Sequence, residues 1–183
     1  MAEGLELTIA TATGTEKISD TRPMPVKTLG GKAAFATFTR PANQDAYSAF
    51  DVVGAALAAI TFTGVGGAGE WTIVSSELRI DIAAVPSGMT SFNLHLYNVT
   101  PPSGLANNDA FALSAPDAAV YLGSFSLGTP VDQGPLLYIN TNNINKQITL
   151  ASANVYGYLQ TVGGFTPAAN SEVYNITLHT QPA

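Results

Sequence analysis

The chain has 183 residues, a formal net charge of −6 and no cysteine; only 11% of its residues are charged, where about a quarter is typical. The lack of cysteine excludes disulfides, thiolate metal sites and a cysteine nucleophile. Seven dispersed Lys and Arg in an acidic chain argue against a nucleic-acid partner, since phosphate recognition needs clustered cations.

The length suits one domain with an appended arm, and a domain of that size needs no staples to fold. With so few ionised groups the surface must present Thr, Asn, Ser, Ala and Gly. Either it is simply neutral and polar, or other subunits cover part of it. The second account is preferred, because uncharged surface loses little hydration on association.

In chain order, residues 1–32 are poor in aromatic and branched aliphatic side chains. Lys17, Arg22, Lys27 and Lys32 lie there, balanced by Glu3, Glu6, Glu16 and Asp20. Met-Ala-Glu-Gly does not open a secretory signal. Pro23 and Pro25 exclude a continuous helix or central strand, and Gly30-Gly31 marks a break. The expectation is an extended N-terminal arm over 1–32; a disordered tail is the alternative. A β-sandwich domain over 33–183 follows.

Strand-like runs begin with Phe35 and Phe38, ended by Arg40-Pro41. Tyr47 to Val53, Leu57 to Thr63 and Trp71 to Ala84 come next. The stretch Val52 to Phe62 is too short to span a bilayer, and no membrane partner is expected. Ser91 to Tyr97 alternates Phe92, Leu94 and Leu96 against Asn93, His95 and Tyr97. Leu105 to Ala119 is expected to hold a short helical turn, started by Asp109 or by Ser114 with Pro116. Val120 to Leu127, Leu136 to Ile139, Gln147 to Ala151 and Val155 to Val162 follow. Glu172 to Thr180 closes the set, alternating Tyr174, Ile176 and Leu178 against Asn175, Thr177 and His179. Pro86-Ser87-Gly88, Gly128-Thr129-Pro130, Asn142-Asn143 and Gly163-Gly164 read as turns. Short strands at this spacing predict an all-β fold, a β-sandwich or jelly roll.

The chemistry-bearing patterns are weak. Gly64 to Gly69 matches G-x-G-x-x-G, but Glu70-Trp71-Thr72-Ile73-Val74 reads as strand where a dinucleotide site needs a helix. A flexible inter-strand loop is the better reading. His95 and His179 fall on polar strand faces without further ligands at metal-binding spacing. Asp51, Glu70, Glu77, Asp81, Asp109, Asp117, Asp132 and Glu172 form no glycosidase pair, and no nucleophile elbow exists. No enzyme, cofactor or metal is expected. Trp71, Tyr138, Asn140, Asn142 and Asn143, with Tyr156 and Tyr158, are the residues suited to a contact surface, since aromatic faces stack on sugar rings and amides bind hydroxyls.

Three segments together resemble a family of small virion structural proteins of tailed phages and prophages. They are Thr39-Arg40-Pro41-Ala42-Asn43-Gln44-Asp45-Ala46-Tyr47 leading to Asp51-Val52-Val53; Leu94-His95-Leu96-Tyr97-Asn98 with Pro101-Pro102-Ser103; and Asn145-Lys146-Gln147-Ile148-Thr149-Leu150. The resemblance covers about residues 35–180. Phe50 stands where the family's Ala-Gly-Asp-Val pattern has glycine. The resemblance implies a capsid decoration or cement protein, made in the host cytoplasm and sitting on the capsid surface of the virion. It implies a homo-oligomer, a trimer by preference, with the major capsid protein as partner. A β-sandwich glycan or receptor binder of a virion fibre or tail is the alternative.

Overall fold

The computed structural model describes residues 8–11, 14–17, 30–55 and 57–183. Twelve strands are described there: β1 (Thr8–Thr11), β2 (Gly14–Lys17), β3 (Lys32–Thr39), β4 (Val52–Val53), β5 (Ile60–Phe62), β6 (Gly69–Ile80), β7 (Phe92–Tyr97), β8 (Tyr121–Gly128), β9 (Val131–Asp132), β10 (Leu137–Leu150), β11 (Val155–Thr161) and β12 (Val173–Pro182). One helical turn, α1 (Ala115–Ala118), precedes β8. The first sheet runs β3-β12-β6-β10-β9. The second runs β4-β11-β7-β8, with β5 also paired to β11. All pairings are antiparallel. First and last body strands lie side by side, and neighbours in space are mostly distant in sequence. This is the order of a jelly roll, a double-sheet solution to the exposed-edge problem.

The alternation anticipated from sequence decides which residues face inward. Leu78 and Ile80 of β6, Phe92, Leu94 and Leu96 of β7, and Tyr174, Ile176 and Leu178 of β12 are all buried between the sheets. A string of rings crosses that core. Phe38 stacks on Tyr174 at 5.0 Å, Phe92 meets both Tyr174 and Phe165 edge-on, and Phe165 packs on Tyr47 at 4.9 Å. On one flank the sheets are stitched by mutual backbone bonds between Phe35 and Thr63, at 2.9 and 3.1 Å. On the other, Thr141 Oγ1 of β10 donates to the Leu127 carbonyl of β8.

Several local expectations need correction. Asn142-Asn143 is not a turn between two strands. β10 runs continuously, and the Asn residues form a bulge where pairing with β6 jumps from Asn142↔Ser75 to Lys146↔Ile73. Asn143 and Asn145 take positive φ of 59° and 50°, a conformation Asn tolerates better than most residues. Tyr47 to Val53 is broken by a turn at Ala49-Phe50, leaving only β4. The longer runs also shrink, to Ile60–Phe62 and Gly69–Ile80. The helical turn starts at Ser114, whose hydroxyl accepts from Asp117 N at 3.4 Å, with Pro116 two residues on.

Phe50 has φ 71° and is 52% exposed. Its backbone is held by Phe50 N donating to the Thr161 carbonyl at 2.9 Å and Phe111 N donating to the Phe50 carbonyl at 3.0 Å. A left-handed backbone costs an L-residue about 1–2 kcal/mol, which glycine avoids at the cost of extra unfolded-state freedom. Phe50→Gly is therefore expected to leave stability unchanged or raise it by up to about 1 kcal/mol, and Phe50→Val to lower it by more than about 1 kcal/mol. Urea unfolding of the two variants checks the ordering.

Candidate functional site

Of the five residues expected to form a contact surface, the structure brings three together. Tyr138, Asn140 and Asn142 alternate along β10 and share the outward face of the first sheet. They stand opposite Arg79, Glu77 and Ser75 of β6, and their rows continue through Asn175, Thr177 and His179 of β12 to Thr37, Phe35 and Ala33 of β3. This face is broad and nearly uncharged. Glu77 lies there 3.8 Å from Arg79 and 3.5 Å from His179, in solvent-exposed contacts that contribute little. Phe35, 56% exposed, adds an aromatic at the far edge.

Trp71 does not join them. It pairs with Ile148, at the other end of β6, and packs against the core. Its indole Nε1 donates to the Gly67 carbonyl at 3.1 Å. The Gly64–Gly69 run is thus a loop folded under Trp71. Gly64 has φ 101°, and a Cβ there would sit 2.8 Å from the Ala33 carbonyl, so glycine serves a close backbone approach. Asn143 lies in the bulge. Tyr156 and Tyr158 lie in β11, on the outward side of the second sheet.

That second outward side is not solvated. Residues 98–120 fold across it, and a small separate core forms from Val52, Tyr97 and Tyr158 with Leu105 and Phe111 packed on it. His95, expected on a polar solvated face, is consequently buried, with the Phe111 ring stacked on it at 3.7 Å. His179 lies in the other sheet, so the two histidines do not meet. Gln160 Nε2 donates to the Phe50 carbonyl at 3.3 Å, and Gln160 Oε1 accepts from Asn93 Nδ2 at 3.1 Å. That orientation makes Oε1 an acceptor for His95 Nε2 at 3.2 Å. The ring therefore carries its proton on Nε2, and Nδ1 accepts from the Tyr121 hydroxyl at 2.9 Å.

Burial pushes the His95 pKa below the ordinary histidine value, with the Gln160 bond acting weakly the other way. The sign of the pH effect follows. As pH falls through about 6.5, the unfolded chain takes up the proton and the folded chain does not. Stability is thus expected to be full above that value and to fall between pH 7.5 and 5.5. Urea midpoints across that window check it, and His95→Gln should flatten the slope.

Sequence reasoning missed a second buried network at the β3 end of the sandwich. Arg40 and Glu172 have fully buried side chains 3.5 Å apart. Arg40 Nε donates to the Tyr47 hydroxyl at 2.6 Å, which donates in turn to Asn107 Oδ1 at 2.6 Å. Glu172 accepts from the Tyr174 hydroxyl at 3.2 Å and from Ala169 N at 3.0 Å. The guanidinium also lies 5.0 Å over the Tyr47 ring. Burial, chiefly, raises the phenol pKa of Tyr47 and Tyr174 above the usual value. Arg40-Pro41 looked like the end of a strand; nothing in that dipeptide pointed to a buried cation.

Four other acids serve the backbone. Asp51 accepts from Ser48 N, Asp109 from Ala106 N, Asp117 from Ser103 N and Asp132 from Gly134 N. Among the described residues, no three His, Asp or Glu side chains are grouped so as to hold a metal. A groove of about 340 Å³ lies between the edges of β8 and β10, lined by Tyr121, Leu122, Gln147, Ile148, Thr149 and Glu70.

No protein-family model matches the chain, and no curated protein matches it. Among solved structures, it is similar to a chain of the capsid of Ralstonia phage GP4, at 16% identity and a TM-score of 0.41, covering 90% of this chain and 94% of that one. It is also similar to a chain of Desmodium yellow mottle tymovirus, at 14% identity and a TM-score of 0.28, covering 99% and 95%. A chain from the heated full particle of Israeli acute paralysis virus follows at 10% identity and a TM-score of 0.29, covering 100% and 82%. Superposition and identity are low throughout, and the jelly-roll assignment rests on the chain's own strand order.

Proposed function

We propose that this chain is a structural protein of a virus particle, one that decorates and cements the head shell of a tailed phage as a homo-oligomer, preferably a trimer. The observation that carries the reading is the outward face of the first sheet. A jelly-roll sandwich there offers rows of Thr, Asn, Ser and Tyr138 with few ionised groups, a surface that loses little hydration when covered. Its buried polar groups, Arg40, Glu172 and His95, are taken up in holding the fold. The residues that resemble tailed-phage virion proteins point the same way. In a closed oligomer, many weak contacts repeated by symmetry give firm attachment.

Light scattering of the isolated chain and titration onto capsid shells test the proposal. A stable oligomer and saturable attachment are expected. A monodisperse monomer that does not attach to shells overturns it.

A glycan-binding reading has one observation in its favour, the line of Tyr138, Asn140 and Asn142 on that same face. A glycan array tests it, with Tyr138→Ala as the control in place of Trp71, which packs inward. No retained sugar removes this reading.

A further inference from the structure

We infer that the β1–β2 hairpin of one copy adds as a strand to the open edge of β10 in a second copy, over Lys146–Leu150. β1 and β2 pair with each other from Thr8↔Lys17 to Thr11↔Gly14. Among the described residues they form a sheet of their own, joined to neither sheet of the sandwich. A lone two-stranded hairpin is marginally stable in water and needs a further strand or a packed face. Among the described residues, its own sandwich supplies no further strand.

The sandwich has an edge of the matching kind. β10 has β6 along one side for nearly its whole length, but β9 covers its other side only at Leu137 and Tyr138. The bulge at Asn142–Lys146 breaks up the middle of that edge, a usual defence of exposed strands. Beyond it, Lys146 to Leu150 pair regularly with Ile73 to Gly69, and among the described residues no strand covers their outer side. That stretch forms one wall of the groove between β8 and β10. The other edges suit a partner less. β3 is bridged by Thr63, β4, β5 and β9 are two or three residues long, and β8 carries positive-φ Gly123 and Gly128 with two register breaks.

Reach permits exchange between copies. The chain from Lys17 to Lys32 can span at most about 50 Å, and a compact domain of this size is roughly 40 Å across. Backbone bonds along an added strand give affinity without demanding particular side chains, which suits a chain so poor in charge. The inference does not require the chain to belong to a virion, so it can fail while the proposed function stands, and the reverse.

Because the full chain has no cysteine, single substitutions report cleanly. Thr15→Cys and Thr149→Cys chains are prepared separately, mixed and treated with a short bismaleimide; Thr15→Cys mixed with Thr39→Cys, on the far edge of the same sheet, is the control. A mixed dimer several-fold above the control is expected. No excess over the control overturns the inference. So does a doubly substituted Thr15→Cys/Thr149→Cys chain that links only within itself, because the hairpin then belongs to its own sandwich. Amide exchange over residues 146–150 gives an independent reading: it should speed up several-fold on dilution, and exchange that ignores concentration overturns the inference.

Discussion

Arg40→Met is expected to lower the unfolding free energy by about 3–5 kcal/mol, the range for removing one partner of a buried ion pair. The reason is what stays behind. Glu172 would keep its bonds from Tyr174 and Ala169 N but lose the only cation described beside it, and its charge would remain in a site closed to water. Arg40→Lys should cost less, about 1.5–3 kcal/mol, because one ammonium cannot serve both Tyr47 and Glu172 as the guanidinium fork does. Adding Glu172→Gln to Arg40→Met should recover at least about 1.5 kcal/mol, since the amide keeps an acceptor and carries no charge. Urea unfolding of the four proteins measures all three values. A loss below about 1 kcal/mol for Arg40→Met would mean the pair is dispensable.

Phe92→Ala should be comparably severe, at about 3–5 kcal/mol. Phe92 is wholly buried and reaches from the second sheet to Tyr174 in the first, meeting its ring at 6.4 Å and that of Phe165 at 6.3 Å, both edge-on. Truncation leaves a void that rigid β-strands on both sides cannot close. The denaturant midpoint should fall with the slope unchanged, the signature of lost stability rather than a changed unfolded state. Phe92→Leu, which refills most of the space, should cost markedly less. Equal losses for Ala and Leu would show that edge-on ring contact, not volume, is what matters there.

Much of the sandwich could be read from residue alternation. Phe92, Leu94 and Leu96, and likewise Tyr174, Ile176 and Leu178, announced both their strands and their inward face, and Ser114 with Pro116 announced α1. What alternation could not reveal was a second layer over a strand. Asn93, His95 and Tyr97 had the pattern of an open face, yet residues 98–120 cover it, because only the path of a distant loop decides whether a polar side is wetted. Asn142-Asn143 misled for a related reason. The positive φ that lets Asn turn a hairpin also lets it bulge within one strand, and only the partner strand β6 distinguishes the two. Phe50 was the reverse case. The glycine expected at its position in the family pattern marked a left-handed backbone, which the chain adopts with phenylalanine in place. Of the contact residues, Tyr138, Asn140 and Asn142 were legible as a period-two set, whereas Trp71 was drawn inward by the glycine loop beneath it.

The place of β12 between β3 and β6 has a temporal meaning. The first sheet cannot close until Val173–Pro182 has left the ribosome, since this late strand is the wedge joining one of the earliest body strands to the middle of the chain. Such far-apart pairings form slowly, and the nascent polypeptide must wait with apolar strand faces uncovered, a period when chaperones matter most. A body of this design presents its broad outward face only after β12 has joined β3 to β6.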